Sequence, residues 1–466
     1  MKKCMKWFLL LPVLLLSSCA VFAPDDRDDL NKPMPQTFSL YDEEAPDPLN
    51  RWWETFESPE LNAFVEEALT NSPSIQQAWA RLAQAEAIAV QVGAARVPSV
   101  GYDGTASATR TGATDGTLEN YSLGLNASYE VDLWGRVKSQ TEAAALDRDA
   151  SREQLNTAMI TLTSQVGLRW IAILSQRLQL EVIHNQLKAN ETSMELIELR
   201  FRKSLSSALD VYQQRQTVAG TASVIPLAEL REELLRNELA VLLGRADLQS
   251  LSITNGALPS IGALPAIGIP ADVLANRPDV RQAGLQLQSA DWSVSAARAD
   301  RLPAIRLTAS AGYASSDAAD LFDDWIANLA GSLTGPIFDG GRRKAEVERT
   351  RAVVEERLGA YRATVINAVK EVEDALISEQ KQRDYIDALD QRLEAARLSY
   401  GESINRYRNG LIEYTTVLIQ LNTLQALERD RVAAQYDLLQ YRINLYRALG
   451  GTWPNELTYS KNEDNQ

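Results

Sequence analysis

Few residues in this chain are equipped for chemistry. Its 466 residues include one histidine, His184, and two cysteines, Cys4 and Cys19. A zinc finger, a Cys/His dyad or a Ser-His-Asp triad cannot be assembled from that set unless His184 carries it alone. No Walker sequence and no HExxH run occurs. His184 lies in a long helical pattern, where a histidine is ordinarily a surface or packing residue. The charges are 47 Lys and Arg against 62 Asp and Glu, a net of −15, which lacks the basic excess that nucleic-acid binding calls for. The residues point away from an enzyme, with no catalytic group, no metal site and no diffusible cofactor expected. What remains is one thiol in a special context and two short charged stretches. Arg200 and Arg202 precede Asp210, and Arg406 and Arg408 precede Glu413.

Cys19 follows Leu16-Ser17-Ser18. Ahead of it, Lys2, Lys3 and Lys6 form a basic segment, and Trp7 to Leu16 an apolar one. That apolar run, as a helix, covers about 15 Å, half of a bilayer core of about 30 Å. Residues 1–18 therefore read as a signal peptide and not as a span. The Leu-Ser-Ser-Cys run is similar to a bacterial lipobox. Its cysteine becomes the first residue and carries S-diacylglycerol and N-palmitoyl groups, so covalent lipid is expected on Cys19. Ala20 and Val21 follow in place of the Asp that marks inner-membrane retention, and this similarity favours the outer membrane.

The two charged stretches are copies of one another. At an offset of 206, Arg200-Phe201-Arg202-Lys203-Ser204-Leu205 falls on Arg406-Tyr407-Arg408-Asn409-Gly410-Leu411. Val211, Gln214 and Thr217 fall on Val417, Gln420 and Thr423, and Gly135-Arg136 on Gly341-Arg342. Upstream the offset is 205, with Arg96-Val97-Pro98 on Arg301-Leu302-Pro303. A one-residue length difference between 98 and 135 accounts for the shift. The chain reads as an internal duplication. Repeat 1 spans 61–244 and repeat 2 spans 276–450. A lipid-anchored segment, 19–60, precedes them. A Pro/Gly-rich linker, 245–275, joins them, and a tail, 451–466, follows.

Each repeat has the same elements. A helical stretch near 61–97 ends at Pro98. Period-2 alternation follows, predicting a β-hairpin over 99–132 and again over 304–338. Val100, Tyr102, Leu123, Leu125, Leu307, Leu329, Leu333 and Ile337 share the apolar face, with Thr, Ser, Asn or Asp opposite. The strands match the length of tilted transmembrane strands. Proline-free stretches then predict long helices over 136–200 and 207–243, and over 342–408 and 412–449. A helix over 136–200 is about 98 Å long, too long for a compact domain and suited to a tube or coiled coil. Four membrane strands cannot close a barrel, whose smallest forms have about eight. An open edge in lipid costs several kcal/mol per unpaired group, so at least two copies must associate. A duct built this way needs no catalytic residue.

At this point the sequence resembles the TolC-like outer membrane factors, in particular the lipoprotein subfamily serving tripartite efflux pumps. The resemblance spans roughly residues 19–453. Its marks are Trp52-Trp53, Asn71 and Pro73, and Leu242-Leu243-Gly244. Further marks are Asn276-Arg277-Pro278-Asp279-Val280, Gly335-Pro336-Ile337-Phe338-Asp339-Gly340-Gly341-Arg342 and Glu371-Val372-Glu373-Asp374-Ala375-Leu376. It implies a homotrimer, mainly α, with a 12-stranded β-barrel continuous with a 12-helix α-barrel. A mixed α/β equatorial belt is implied around residues 245–275 and the chain ends. The implied partners are a periplasmic adaptor protein, an inner-membrane pump and outer-membrane lipid, and the implied function is passive export of small toxic compounds. The turns at Ser204-Leu205 and Gly410-Leu411 become adaptor contacts, and Asp210, Arg202, Arg406, Arg408 and Glu413 gate candidates. Two departures stand out: Ser204 replaces the glycine usual in the first turn, and Ile419 replaces an acid common in the second return helix. A protein-secretion duct is an alternative, as is a lipid-anchored periplasmic coiled-coil spacer that is no channel.

Overall fold

The computed structural model describes residues 24, 51–110, 117–247, 251–254, 256–265 and 270–450. The leader, Cys19, most of segment 19–60 and the tail 451–466 lie outside the described residues. Helix α1 (Pro59–Asn71) starts on Ser58, whose hydroxyl accepts from Leu61 N at 3.2 Å, with proline at the first helical position. Pro73 divides the helix expected over 61–97. Ser72 is extended, as the residue before proline prefers, and α2 (Pro73–Gly93) begins afresh. Strands β1 (Ser99–Arg110) and β2 (Thr117–Val131) follow. Helix α3 (Arg136–Arg202) and α4 (Ala208–Leu242) complete the first repeat. The second has α5 (Pro270–Asn276), α6 (Pro278–Ala299), β3 (Ala304–Ser315), β4 (Trp325–Thr334), α7 (Arg342–Arg408) and α8 (Tyr414–Ala448). Helices α3 and α7 have 67 residues each, about 100 Å; α4 and α8 have 35 each. Helix α4 runs on through Pro226.

Two compact units divide the chain. Among the described residues, one holds 80–153 and 279–364, the other 51–79, 154–278 and 365–450. In the first, four antiparallel strands form one sheet in the order β1-β2-β3-β4. Ser99 faces Ser128 in the first hairpin; Ala304, 205 residues on, faces Thr334, 206 residues on. The one-residue difference between the repeats therefore falls in the first hairpin turn. Register places Val100, Tyr102, Leu123, Leu125, Leu307, Tyr313, Leu329 and Leu333 on one face. Thr105, Ser107, Asn126, Ser128, Thr308, Ser310, Asn328 and Ser332 occupy the other. The apolar face is exposed: Tyr102 at 83% and Leu329 at 79%. β4 stops at Thr334 and does not reach 338. Pro336 has no N–H to give to a ladder, and Ile337, although in phase with the alternation, lies beyond the strand.

The second unit holds the larger core. Trp52 stacks on Tyr446 with ring centroids 5.5 Å apart, and Trp53 and Phe56 pack edge-on to Trp52. Trp170, 1% exposed, donates from Nε1 to Glu60 Oε2 at 2.9 Å. The resemblance implied a mixed α/β belt at 245–275 and the chain ends, and the ends lie mostly outside the described residues. Among the described residues of that linker there is α5 and no strand. Its backbone is met by side chains instead of a ladder. Arg177 Nη1 donates to Ile253 O at 2.5 Å and Arg236 Nη2 to Leu251 O at 2.6 Å. Thr254 N donates to Glu60 Oε1 at 2.7 Å. Arg442 donates to Gly262 O and Ala263 O at 3.2 and 2.9 Å. These bonds satisfy four of the linker's carbonyls and one N–H without a strand partner.

Candidate functional site: the two helical turns

Both long helices end in the same closed turn. In the first, Leu205 N donates to Arg200 O at 2.9 Å and Ser204 N to Phe201 O at 2.9 Å. In the second, Leu411 N donates to Arg406 O at 2.9 Å and Gly410 N to Tyr407 O at 3.0 Å. This pattern needs a left-handed residue. Gly410 supplies it at φ 70°, and Ser204 adopts it at φ 58° despite its Cβ. Leu205 and Leu411 are 63% and 71% exposed, so each turn presents a bare leucine.

The return helices begin differently. Ser207 caps α4: its Oγ accepts from Asp210 N at 3.2 Å, and Asp210 Oδ2 accepts from Ser207 N at 3.1 Å. Ser206 Oγ donates a second bond to the same carboxylate at 2.8 Å. Asp210 is thus held by its own turn. In the second turn Glu413 takes the capping position with no side-chain bond to the helix. Arg406 pairs with Glu402 at 2.9 Å, one turn back on α7. Arg202, Arg408 and Glu413 are exposed. The structure therefore gathers the sequence-predicted residues on two adjacent turns, and places Asp210 and Arg406 with different local partners. The turns meet through Arg200 and Tyr407: the guanidinium carbon lies 4.8 Å from the ring centre, and Tyr407 Oη donates to Ser206 Oγ at 3.4 Å.

Beneath the turns lies a polar core that sequence reasoning missed. Tyr414 Oη donates to Gln214 Oε1 at 2.7 Å, and Gln214 Nε2 donates to Asn190 O at 2.6 Å. Gln425 Nε2 donates to Asn190 Oδ1 at 2.8 Å, and Gln186 Nε2 to Gln425 O at 2.9 Å. Asn190 and Gln214 are wholly buried. Burial pushes the Tyr414 phenol well above its ordinary range, with Tyr400, Tyr407 and Asp210 adding to it, so it remains a donor. Ile197, Val211, Val417 and Leu418 pack around this network. A cleft of 930 Å³ opens beside it, where polar side chains including Gln179, Gln213, Thr217, Asn422 and Arg429 alternate with apolar ones such as Ile183, Val224 and Leu227. His184 is exposed on α3, with Nδ1 2.8 Å from Leu180 O. Among the described residues no three His, Cys, Asp or Glu side chains converge as a metal site requires.

Other motif blocks meet at the far end of α8. Arg277 Nη1 donates to Ala448 O at 2.8 Å and Nη2 to Glu371 at 2.9 Å. A cation at a helix C-terminus satisfies orphan carbonyls and opposes the helix dipole. Val372, Ala375 and Leu376 pack on Leu445, Ala448 and Leu449.

Comparison with known proteins follows the repeat boundaries. A family model described as outer membrane efflux protein matches residues 64–245 and again 269–451. The pyoverdine export outer membrane protein OpmQ of Pseudomonas putida is 33% identical over 422 residues, 87% of this chain and 89% of that protein. The cation efflux system protein CusC of Escherichia coli O6:H1 is 30% identical over 450 residues, 94% of this chain and 97% of its own length. The solved structure of the outer-membrane channel OprN superposes with a TM-score of 0.85 at 26% identity, covering 92% of this chain and 99% of the other.

Proposed function

This chain belongs to the outer membrane efflux protein family and is an outer-membrane channel of an efflux system, and on that premise we propose how its parts divide the work. Members of the family are homotrimeric channels that act with adaptor and inner-membrane pump components. The observation that carries the reading is the sheet. One face is apolar along all four strands, and two edges, β1 and β4, have no strand partner among the described residues of the protomer. In lipid such edges must pair. Three internally duplicated copies, joined β4 to β1, give a 12-stranded barrel with apolar residues towards lipid and Thr, Ser and Asn towards water. The long helices, two hairpins per copy, form the 12-helix periplasmic duct.

Lipid on Cys19 supplies the anchor. The turns at Ser204-Leu205 and Gly410-Leu411 form the end that meets the adaptor, and the exposed leucines support this, since scattered charge alone gives little docking energy. Arg202, Arg406, Arg408, Glu413 and Asp210 ring the same end and set its closed state. Relatives are named for pyoverdine export and for cation efflux. The cargo here is of that broad kind, small compounds that the pump selects and the duct admits.

Purified from the outer membrane, the protein should run as a heat-dissociable oligomer and conduct ions in a planar bilayer. A monomer freed from membranes without detergent once Cys19 is replaced would instead make it a spacer. For the gate, the double variant Asp210→Ala with Arg406→Ala should open more often and conduct more. Unchanged conductance and opening frequency remove both residues from it.

A further inference from the structure

One junction occurs twice in this fold, once covered and once bare. In the covered case, β2 meets β3. Val131 stands opposite Ile305, and in the turn beyond, Trp134 Nε1 donates to Pro303 O at 2.6 Å. Helix α6, which leads into β3, is flanked on two sides. Ser289 Oγ reaches Ala143 O of α3 at 3.1 Å, and Arg281 pairs with Glu153 at 2.7 Å. On its other side Leu287, Ala290 and Val294 pack on Val354 and Leu358 of α7.

In the bare case, the turn after β4 carries Ile337 and Phe338, 104% and 90% exposed. Helix α2, the counterpart of α6, exposes Val90 at 74%, where the matching Ser295 of α6 is 1% exposed. Val97 and Val100, leading into β1, are 62% and 72% exposed. These residues lie at the two rims of the sheet, at the same end of the strands.

We infer that residues 335–338 dock a second copy of this chain, seating against the end of its α2 and the start of its β1. The inference rests on the reading that copies close a barrel, and it adds the contact and the register. The repeat spacing is 205 for α2 and β1, and 206 for β4. Carried onto the observed β2–β3 register, in which Ser128 faces Thr308 and Ala127 faces Ala309, it sets Thr334 opposite Asp103 of the next copy and Leu333 opposite Gly104. It also sets Ile337 opposite Val100, with Phe338 beside Ser99 and within reach of Val97. This register keeps every apolar residue of β4 and β1 on one face. A slip of one residue turns Asp103 and Thr105 towards lipid. The contact is head-to-tail, so it closes only as a ring. Ile337 then joins the ladder beyond Pro336, which it does not do in the single chain.

The test is thiol crosslinking in the native membrane on the full chain, whose sequence has only Cys4 and Cys19 as natural cysteines; the parent chain is the control. One double variant carries Ile337→Cys with Val100→Cys. The reference carries Leu333→Cys with Gly104→Cys. A short bis-maleimide should link copies in both. If the reference links and the 337/100 pair does not, the docking segment is overturned while the barrel stands. If Leu333→Cys links instead to Tyr102→Cys or Ala106→Cys, the register is wrong and the inference falls. If no β4 position links to any β1 position, barrel closure itself has failed. Independently, Phe338→Ala should lower the temperature at which the oligomer dissociates on a gel, and Phe338→Leu should restore most of it. An unchanged dissociation temperature in Phe338→Ala removes that side chain from the contact.

Discussion

The hairpin α3–α4 turns on a serine and a filled cap, whereas α7–α8 turns on a glycine and aromatic packing. Their lengths are the same, 67 and 35 residues. In the first, Ser207, Ser206 and Asp210 close the turn with hydrogen bonds. In the second, Tyr407 and Tyr414 pack at 5.1 Å between centroids, and Ile412 joins the apolar cluster. Their counterparts in the first are Phe201, which is 45% exposed, and Ala208. Deeper in, Gln214 is buried in a network while its counterpart Gln420 reaches only Ser399 at an exposed site. At the root, Arg236 and Arg442 occupy matching positions and both grip the linker, but only Arg442 faces a buried acid. It pairs with Glu379 at 2.6 Å, the two side chains 2% and 1% exposed. Both repeats hold the linker, and the second does so through an arginine that is itself tied to a buried carboxylate.

The root should show the largest contrast. Arg442→Met leaves the buried Glu379 carboxylate with Arg383 alone and should cost up to roughly 3–5 kcal/mol; Arg236→Met should cost roughly 1–2 kcal/mol. Denaturation midpoints in detergent measure both, and equal losses would remove the distinction. The pair also has a pH dependence. Burial, the largest single influence on Glu379, pushes its carboxyl up. The Arg442 and Arg383 guanidiniums together outweigh it and hold the group below its ordinary value. A depressed folded-state value adds stability above the unfolded value of about 4.3, and that stability is lost as pH falls through the folded value. The advantage of the parent over Glu379→Gln should therefore be full above about pH 5 and shrink below about pH 4.

The glutamines come next. Gln214→Leu leaves Asn190 O and Tyr414 Oη without their partner and should cost roughly 1–3 kcal/mol. Gln420→Leu should stay within about 0.5 kcal/mol. The caps follow: Ser207→Ala should cost about 1 kcal/mol and speed hydrogen exchange in the first turn of α4. Glu413→Ala should leave exchange in α8 unchanged. The smallest effect belongs to the left-handed residues. Gly410→Ala should cost about 1 kcal/mol. Ser204→Gly should gain only a few tenths, because the relief of strain is offset by the freedom glycine adds to the unfolded chain. Thermal unfolding of the paired variants would show whether the turns differ as described.

Much of this was legible in residues that leave the backbone little choice. Pro98 and Pro303 ended helices, alternation from Val100 and Ile305 marked strands, and Gly410 marked a turn at positive φ. Ile337 misled, because it fits the alternation and only Pro336 beside it stops the ladder. Pro73 broke a helix that had been read as one. The Ser-x-x-Asp spacing of Ser207 and Asp210 was readable as a capping box, yet a charge near an arginine invites an ion-pair reading first. Gln214 and Arg442 were not legible. A glutamine or arginine on a long helix has the same periodicity whether it faces water or a neighbouring helix, and only packing decides.

The sheet has a consequence for the order in which the molecule is made. Its outer strands β1 and β4 are exposed on both faces, and their free edges find no cover among the described residues of the chain that carries them. A protomer that completed this sheet in water would travel as an adhesive surface, ready to pair with any exposed strand. The helical hairpins are better covered, with apolar clusters around Leu389 and Leu427 and around Val417 packed within one chain, although Leu227 and Leu234 stay exposed. Maturation must therefore be staggered, with the helices settled first and the strands last, at the membrane and in company.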